Sequence, residues 1–246
     1  MKLLAVDCST EACSVAIYEN DLAQPVANGR VIAEQYLLTP REHTQRLLPM
    51  IDAVLVEAEV QLSELDAIAF GRGPGSFTGL RIALGAVQGL AFGAELPVLP
   101  VSTLTALAQT AVEEGLIAGD TALPVISAID ARMDELYWSV CHLQEGVAVN
   151  IGAEHLGSPE MLSPQDADGV GLVPGGVGVG SGWQFASRIP VAAGLGQLLP
   201  TCLPKARAIA RLADREWRLG GMVAAEQALP VYLRDEVAWQ KSSSLG

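Results

Sequence analysis

The sequence predicts an α/β protein, on three observations. Short apolar runs alternate with stretches of helical periodicity, most clearly at 65–70, 77–93, 96–101 and the segment after 103. One of these runs feeds straight into a glycine-rich turn, Gly71-Arg72-Gly73-Pro74-Gly75-Ser76-Phe77-Thr78-Gly79-Leu80-Arg81, which opens a helix. Half of the 246 residues are hydrophobic but only 5% are aromatic, so the core is built from Ala, Val, Leu and Ile. Such a core suits buried strands covered by helices.

The elements follow in order. Residues 3–6 form a short apolar run and 13–18 a second, rich in β-branched residues, around the polar tip Asp7-Cys8-Ser9-Thr10-Glu11. Two strands about a polar tip read as a hairpin. A third strand is expected near 29–36. A helix follows with Leu47, Ile51, Val54 or Leu55, and Ala58 on one face, and Pro49 either in its first turn or at a kink. The strand at 65–70 and the glycine-rich turn lead into a helix running to about Gly93, its expected C-cap. The strand at 96–101 is followed by Ser102 or Thr103 as a helix cap. Residues 123–129 and 136–143 make a second hairpin about the tip Asp130-Ala131-Arg132-Met133-Asp134-Glu135, an echo of the first that suggests two related halves. The stretch 158–182 is rich in Gly and Pro and reads as loops with one short strand. Pro204 opens a helix over 205–219, and the closing KSSSLG reads as a frayed tail.

Charge and cysteines narrow the function. The formal net charge is −13, the reverse of the basic footprint that phosphate neutralisation requires. Nucleic acid, if involved, is expected to be held by another subunit. The four cysteines, Cys8, Cys13, Cys141 and Cys202, form no C-x-x-C pair and no zinc spacing. A hairpin there would allow Cys8 and Cys13 to approach each other, but with no export signal a structural disulfide is disfavoured. No run of about 18 apolar residues is free of charge or turn residues, so no membrane span is expected and the cytoplasm is the default. The histidines His43, His142 and His155 form no H-x-x-x-H pair, since Leu47 stands four residues after His43. No metal site and no Ser/His/Asp or Cys/His set is evident, and Gly73-Pro74-Gly75-Ser76-Phe77 is only the start of a hydrolase elbow.

Two features remain as candidates. The turn offers glycines, hydroxyls and a helix N-terminus, the parts of an anion site. It has neither the closing Gly-Lys-Ser/Thr of a Walker loop nor G-x-G-x-x-G spacing. Asp7, Ser9, Thr10, Gly73, Gly75, Ser76 and Thr78 are therefore phosphate candidates, against a tight turn that simply needs positive φ angles. In the helix, Gly85, Gly89 and Gly93 recur every four residues along one face. Each interior glycine costs roughly 1 kcal/mol against alanine. Small residues in a row let a second backbone approach, either this protein's own sheet or a helix of another chain.

LLAVDCSTEACSVAIY, GRGPGSFTGLRIALGAVQGLA, PVLPVSTLTALA, DARMDELYW and PVYLRDEVAW occur in this order between Leu3 and Trp239. Together they resemble the bacterial TsaB family, also called YeaZ. The resemblance implies an actin/sugar-kinase/Hsp70-like fold of two lobes, each a mixed sheet with flanking helices. The first lobe would take 1–103 with part of the C-terminal segment, the second 104–220, and 221–246 the C-terminal segment and tail. It implies a role in forming N6-threonylcarbamoyladenosine in tRNAs that read codons starting with A. The implied role is a non-catalytic scaffold or activator without metal or cofactor. It would pair with the catalytic paralogue TsaD or with a second copy of itself, be joined by the ATPase TsaE, and meet tRNA only through that complex. Two departures fit this: the catalytic paralogue's histidine pair is missing, and Cys8 and Ala131 stand where ATPases of this fold carry glycine after the phosphate-strand aspartates. The partner contact implied is the pair of first-lobe helices, with Leu47, Ile51, Val54, Leu55, Leu80, Gly85, Gly89 and Gly93. The competing expectation is a free-standing ATP-dependent kinase or ATPase of the same fold.

Overall fold

A computed structural model describes residues 1–163 and 175–234. The first sheet contains β1 (Lys2–Asp7), β2 (Ala12–Glu19), β3 (Arg30–Leu38), β4 (Ala67–Gly73) and β5 (Val98–Ser102), in the order β3-β2-β1-β4-β5. The second contains β6 (Val125–Arg132), β7 (Glu135–Gln144), β8 (Val147–Gly157), β9 (Val177–Val179) and β10 (Gln197–Leu199), in the order β10-β9-β6-β7-β8. Each sheet pairs a hairpin antiparallel, β1 with β2 and β6 with β7. Each then adds parallel strands on one side and an antiparallel strand on the other. The echoed hairpins of the sequence are thus the equivalent parts of two sheets of the same topology. This is the two-lobed actin/sugar-kinase/Hsp70-like arrangement.

Strand alternation sorts the residues into three cores. Leu4 and Val6 of β1 face one side of the first sheet, under α1 (His43–Glu57) and α2 (Phe77–Ala94). Leu3 and Ala5 face the other side, where α3 (Thr103–Glu113) and α4 (Ala206–Arg218) lie between the sheets. Val125 and Cys141 reach the same central layer from the second sheet, while Ile126, Trp138 and Trp183 close its far face. The central layer also holds charge. Asp214 of α4 is fully buried and accepts hydrogen bonds from Tyr18 Oη (2.9 Å), Asn20 Nδ2 (2.6 Å) and Arg218 Nε (2.7 Å). Each lone pair used offsets part of the cost of burying the carboxylate.

Several elements differ from expectation. Pro49 lies well inside α1, past its first turn, on the exposed side. Gly93 is inside α2, and the C-cap is Glu95 in the left-handed region at φ 55°. β8 carries no signal that was read from sequence, because its burial is mixed and Gly152 interrupts the alternation. As expected, the cap of α3 is one of the two candidates, Ser102, which accepts from the Thr105 amide at 3.2 Å. By length and mean hydropathy α2 alone, among the described residues, is long and apolar enough to cross a membrane. Its Leu80, Ala83, Val87 and Ala91 instead bury against the first sheet. Part of the glycine-rich stretch (164–174), the end of PVYLRDEVAW and the tail lie outside the described residues.

Candidate functional site

The glycine-rich turn comes down on the β1–β2 tip. The Ser76 amide donates to the Ser9 carbonyl at 2.7 Å, and Ser76 Oγ caps α2 by accepting from Gly79 N at 3.3 Å. A Cβ on Gly79 would stand 1.9 Å from the Cys8 carbonyl oxygen, and one on Gly75 would stand 2.5 Å from that of Ser9. The close approach these glycines permit is therefore to the protein's own chain. Carbonyl oxygens, which repel an anion, line that contact. Gly73 sits at φ 103° with the Val231 carbonyl against it, so the turn does need positive φ there.

Asp7 is 1% exposed. Its Oδ2 accepts from the Ser9 amide at 3.2 Å and the Ser9 hydroxyl at 2.9 Å. No donor among the described residues reaches Oδ1, which packs beside Gly71. Burial pushes the Asp7 carboxyl up to about 7, with the two Ser9 hydrogen bonds opposing. Thr10 is buried and its Oγ1 accepts from the Ala12 amide at 3.3 Å, while Ser76 and Thr78 are exposed. The phosphate candidates thus divide into a walled-in set, Asp7, Ser9, Thr10, Gly73 and Gly75, and an exposed pair, Ser76 and Thr78. No open cradle joins them.

The neighbouring thiols are reduced, with Cys8 Sγ and Cys13 Sγ 3.6 Å apart. The contact with Cys13 and burial hold Cys8 well above the ordinary thiol value, and the same contact lowers Cys13. His43 Nε2 lies 3.2 Å from the Ala12 carbonyl. Among the described residues no three His, Cys, Asp or Glu side chains gather as metal ligands.

The helical surface is different. Gly85, Gly89 and Gly93 are exposed, and a Cβ at each would meet nothing within 4 Å. The row does not pack against the first sheet. Phe77 and Arg81 continue it toward the N-terminus of α2 at the same four-residue spacing, also exposed. On α1 the residues placed on the partner face need correction. Leu47, Ile51 and Val54 are buried in the core under the helix, and Leu80 of α2 is buried as well. Leu55 is half-buried. The 3.6-residue stripe that marked them is the inward face. The outward face carries Leu48 (51% exposed), Asp52 and Val56 (79% exposed).

A cavity of about 510 Å³ lies between the edges of the two sheets, lined by Arg72, Ser102, Asn150, Glu154, Arg215 and Glu216. Sequence reading did not find it, since its residues come from β4, β5, β8 and α4. Glu154 accepts from the Ser102 hydroxyl and from Arg72 Nη2 at 3.4 Å, and Arg215 pairs with Glu216 at 3.0 Å. Its charges satisfy one another.

Comparison with known proteins identifies the family that carries this fold. The family described as TsaD, tRNA N6-adenosine threonylcarbamoyltransferase, matches residues 31–169. The chain is 41% identical to the tRNA threonylcarbamoyladenosine biosynthesis protein TsaB of Escherichia coli (strain K12), over 98% of each chain. It is 40% identical to the TsaB protein of Haemophilus influenzae, over 98% of this chain and 97% of that one. The solved structure of YeaZ from Pseudomonas aeruginosa superposes with a TM-score of 0.79 at 45% identity, covering 94% of this chain and 99% of that one. The fold and the 31–169 match place the chain in the TsaD-like class. Within it, the chain belongs to the TsaB family, proteins of threonylcarbamoyladenosine formation in tRNA.

Proposed function

We propose that this chain is the non-catalytic scaffold of a tRNA threonylcarbamoylation complex, acting with the catalytic paralogue TsaD and the ATPase TsaE. It docks through the outward faces of α1 and α2. The observation that carries this reading is the exposed row Gly85, Gly89 and Gly93, with open space above each glycine. No described residue of the chain packs on the row, yet each glycine costs helix stability. A second backbone lying on it would gain close packing, and Leu48 and Val56 expose apolar area on the outward face of α1. The same face would serve a second copy of this chain when the paralogue is absent. The walled-in Asp7 and the chain's own carbonyls against Gly75 and Gly79 support a subunit without its own phosphoryl chemistry.

Reconstitution tests this. The purified chain with threonylcarbamoyl-AMP and tRNA is expected to transfer nothing, and addition of the chain to TsaD and TsaE is expected to raise turnover. Transfer by the chain alone would refute the scaffold role. Thermal stabilisation by millimolar Mg-ATP would favour the free-standing ATPase instead.

A further inference from the structure

The C-terminal segment runs from the first sheet to the second. Val223 pairs with Val98 of β5 through two hydrogen bonds of 2.9 Å. Ala225 and Ala228 then enter the core under α2, and the Ala228 carbonyl accepts from Gln88 Nε2 at 3.0 Å. The Val231 amide donates to the Arg72 carbonyl at 2.8 Å. Tyr232 packs on Phe77 with ring centroids 5.4 Å apart, and the Arg81 guanidinium lies 3.6 Å over the Phe77 ring. Two residues later Arg234 reaches the β6–β7 tip. Its guanidinium donates to the Ala131 carbonyl (3.3 Å), the Arg132 carbonyl (3.5 Å) and the Glu135 carboxylate, and touches the Met133 sulfur.

That tip is strained. Arg132, Met133 and Asp134 take φ of 63°, 54° and 64°, three consecutive left-handed residues with no glycine among them. L-residues hold that conformation only where surrounding contacts over-determine it. Asp130 Oδ1 accepts from the Arg132 amide at 2.8 Å, and Arg188 holds Asp134 from the outer side. Arg234 supplies a second clamp and binds two of the tip's carbonyls. At its other end the same segment sits on Phe77 and Arg81, the first members of the outward row of α2.

We propose that residues 231–234 are a latch joining the docking row of α2 to the β6–β7 tip, with Arg234 as the positioning residue of the tip. A helix laid along the row meets Phe77 and Arg81, fixes Tyr232, and through Arg234 fixes the tip. Arg132 and Met133, which the tip exposes, are held by the latch in the free chain and more tightly when the row is engaged. This coupling rests on the docking face proposed above.

Hydrogen–deuterium exchange on the full chain tests it. In the free protein Arg234→Ala is expected to raise exchange in peptides covering 131–136 at least tenfold, with β1 and β4 unchanged. Arg234→Lys, whose single ammonium cannot span the same carbonyls, is expected to raise it several-fold and serves if the alanine variant folds poorly. Tyr232→Ala is expected to loosen the tip as well, although it touches no tip residue. Tip exchange within twofold of wild type in all three variants would overturn the latch. With TsaD added, wild type should gain protection on α2 and at 131–136, and Tyr232→Ala on α2 alone. Protection on α2 with an unchanged wild-type tip would overturn the coupling. No protection on α2 would instead overturn the docking face, leaving the latch to be judged on the free chain.

Discussion

Asp7 shows how a residue that reads as functional becomes a packing element. Its place at the end of β1, before Ser9 and Thr10, makes it a phosphate candidate on sequence. What sequence cannot mark is that Gly75 and Gly79 bring α2 down on the Cys8 and Ser9 carbonyls, because that contact joins segments some 70 residues apart. The outcome is a carboxyl with one oxygen unpaired among the described residues and its proton held up to about 7, against 3.8 ordinarily. Between those values the folded chain binds this proton and the unfolded chain does not. Stability from this group is therefore fullest below pH 4, falls as pH rises, and levels off above about 7. Asp7→Asn keeps an acceptor for Ser9 and removes the titration. It is expected to stabilise the protein at pH 8, by at most on the order of 4 kcal/mol, and to flatten the slope between pH 4 and 7. Urea midpoints at pH 4, 6 and 8 for both proteins check this. An unchanged slope would show that Asp7 is ionised in the fold.

At the scale of the element, α2 was the most legible part of the chain. Its span after the glycine-rich turn and its glycine row follow from spacing, whereas Leu80, placed on the partner face, lies on the buried one. The direction of the row did not, since a four-residue repeat fits an inner or an outer face equally well; only the open space at Gly85, Gly89 and Gly93 decides it. On α1 the same ambiguity ran the other way, and the regular stripe of Leu47, Ile51 and Val54 turned out to be core. The two helices allow a prediction that separates folding from docking. Gly89→Ala has room for its methyl group and is expected to stabilise the isolated chain by about 1 kcal/mol. Gly89→Leu is expected to keep the fold but weaken association with TsaD or a second copy at least tenfold. Thermal melts and light scattering read the two effects independently. A destabilising Gly89→Ala, or full association by Gly89→Leu, would show that the row is not a free docking face.

For the whole molecule, the repeated hairpin suggested two related halves and the family resemblance implied two lobes, and two sheets of one topology are present. The layer of α3 and α4 between them was not legible, because it depends on Asp214 meeting Tyr18 and Asn20 across nearly 200 residues. Charge is also a property of the whole. The chain has 15 basic residues against 28 acidic ones. At least eleven of the basic residues stand in ion pairs with carboxylates: Arg30, Arg46, Arg72, Arg132, Arg188, Lys205, Arg207, Arg211, Arg215, Arg218 and Arg234. A phosphate backbone would have to displace those carboxylates one by one while approaching a surface of net charge −13. Screening shortens this repulsion to about 8 Å at physiological salt but does not make it attractive. The isolated chain is therefore expected to show no tRNA binding by fluorescence anisotropy at ~10 µM protein and ~150 mM salt, and none at ~50 mM, where a basic binder gains strongly. In a complex with TsaD, tRNA affinity should come from the partner, with a salt slope unaltered by charge changes on this chain's exposed Arg132. Binding by the isolated chain that strengthens as salt is lowered would reveal a basic surface that these ion pairs conceal.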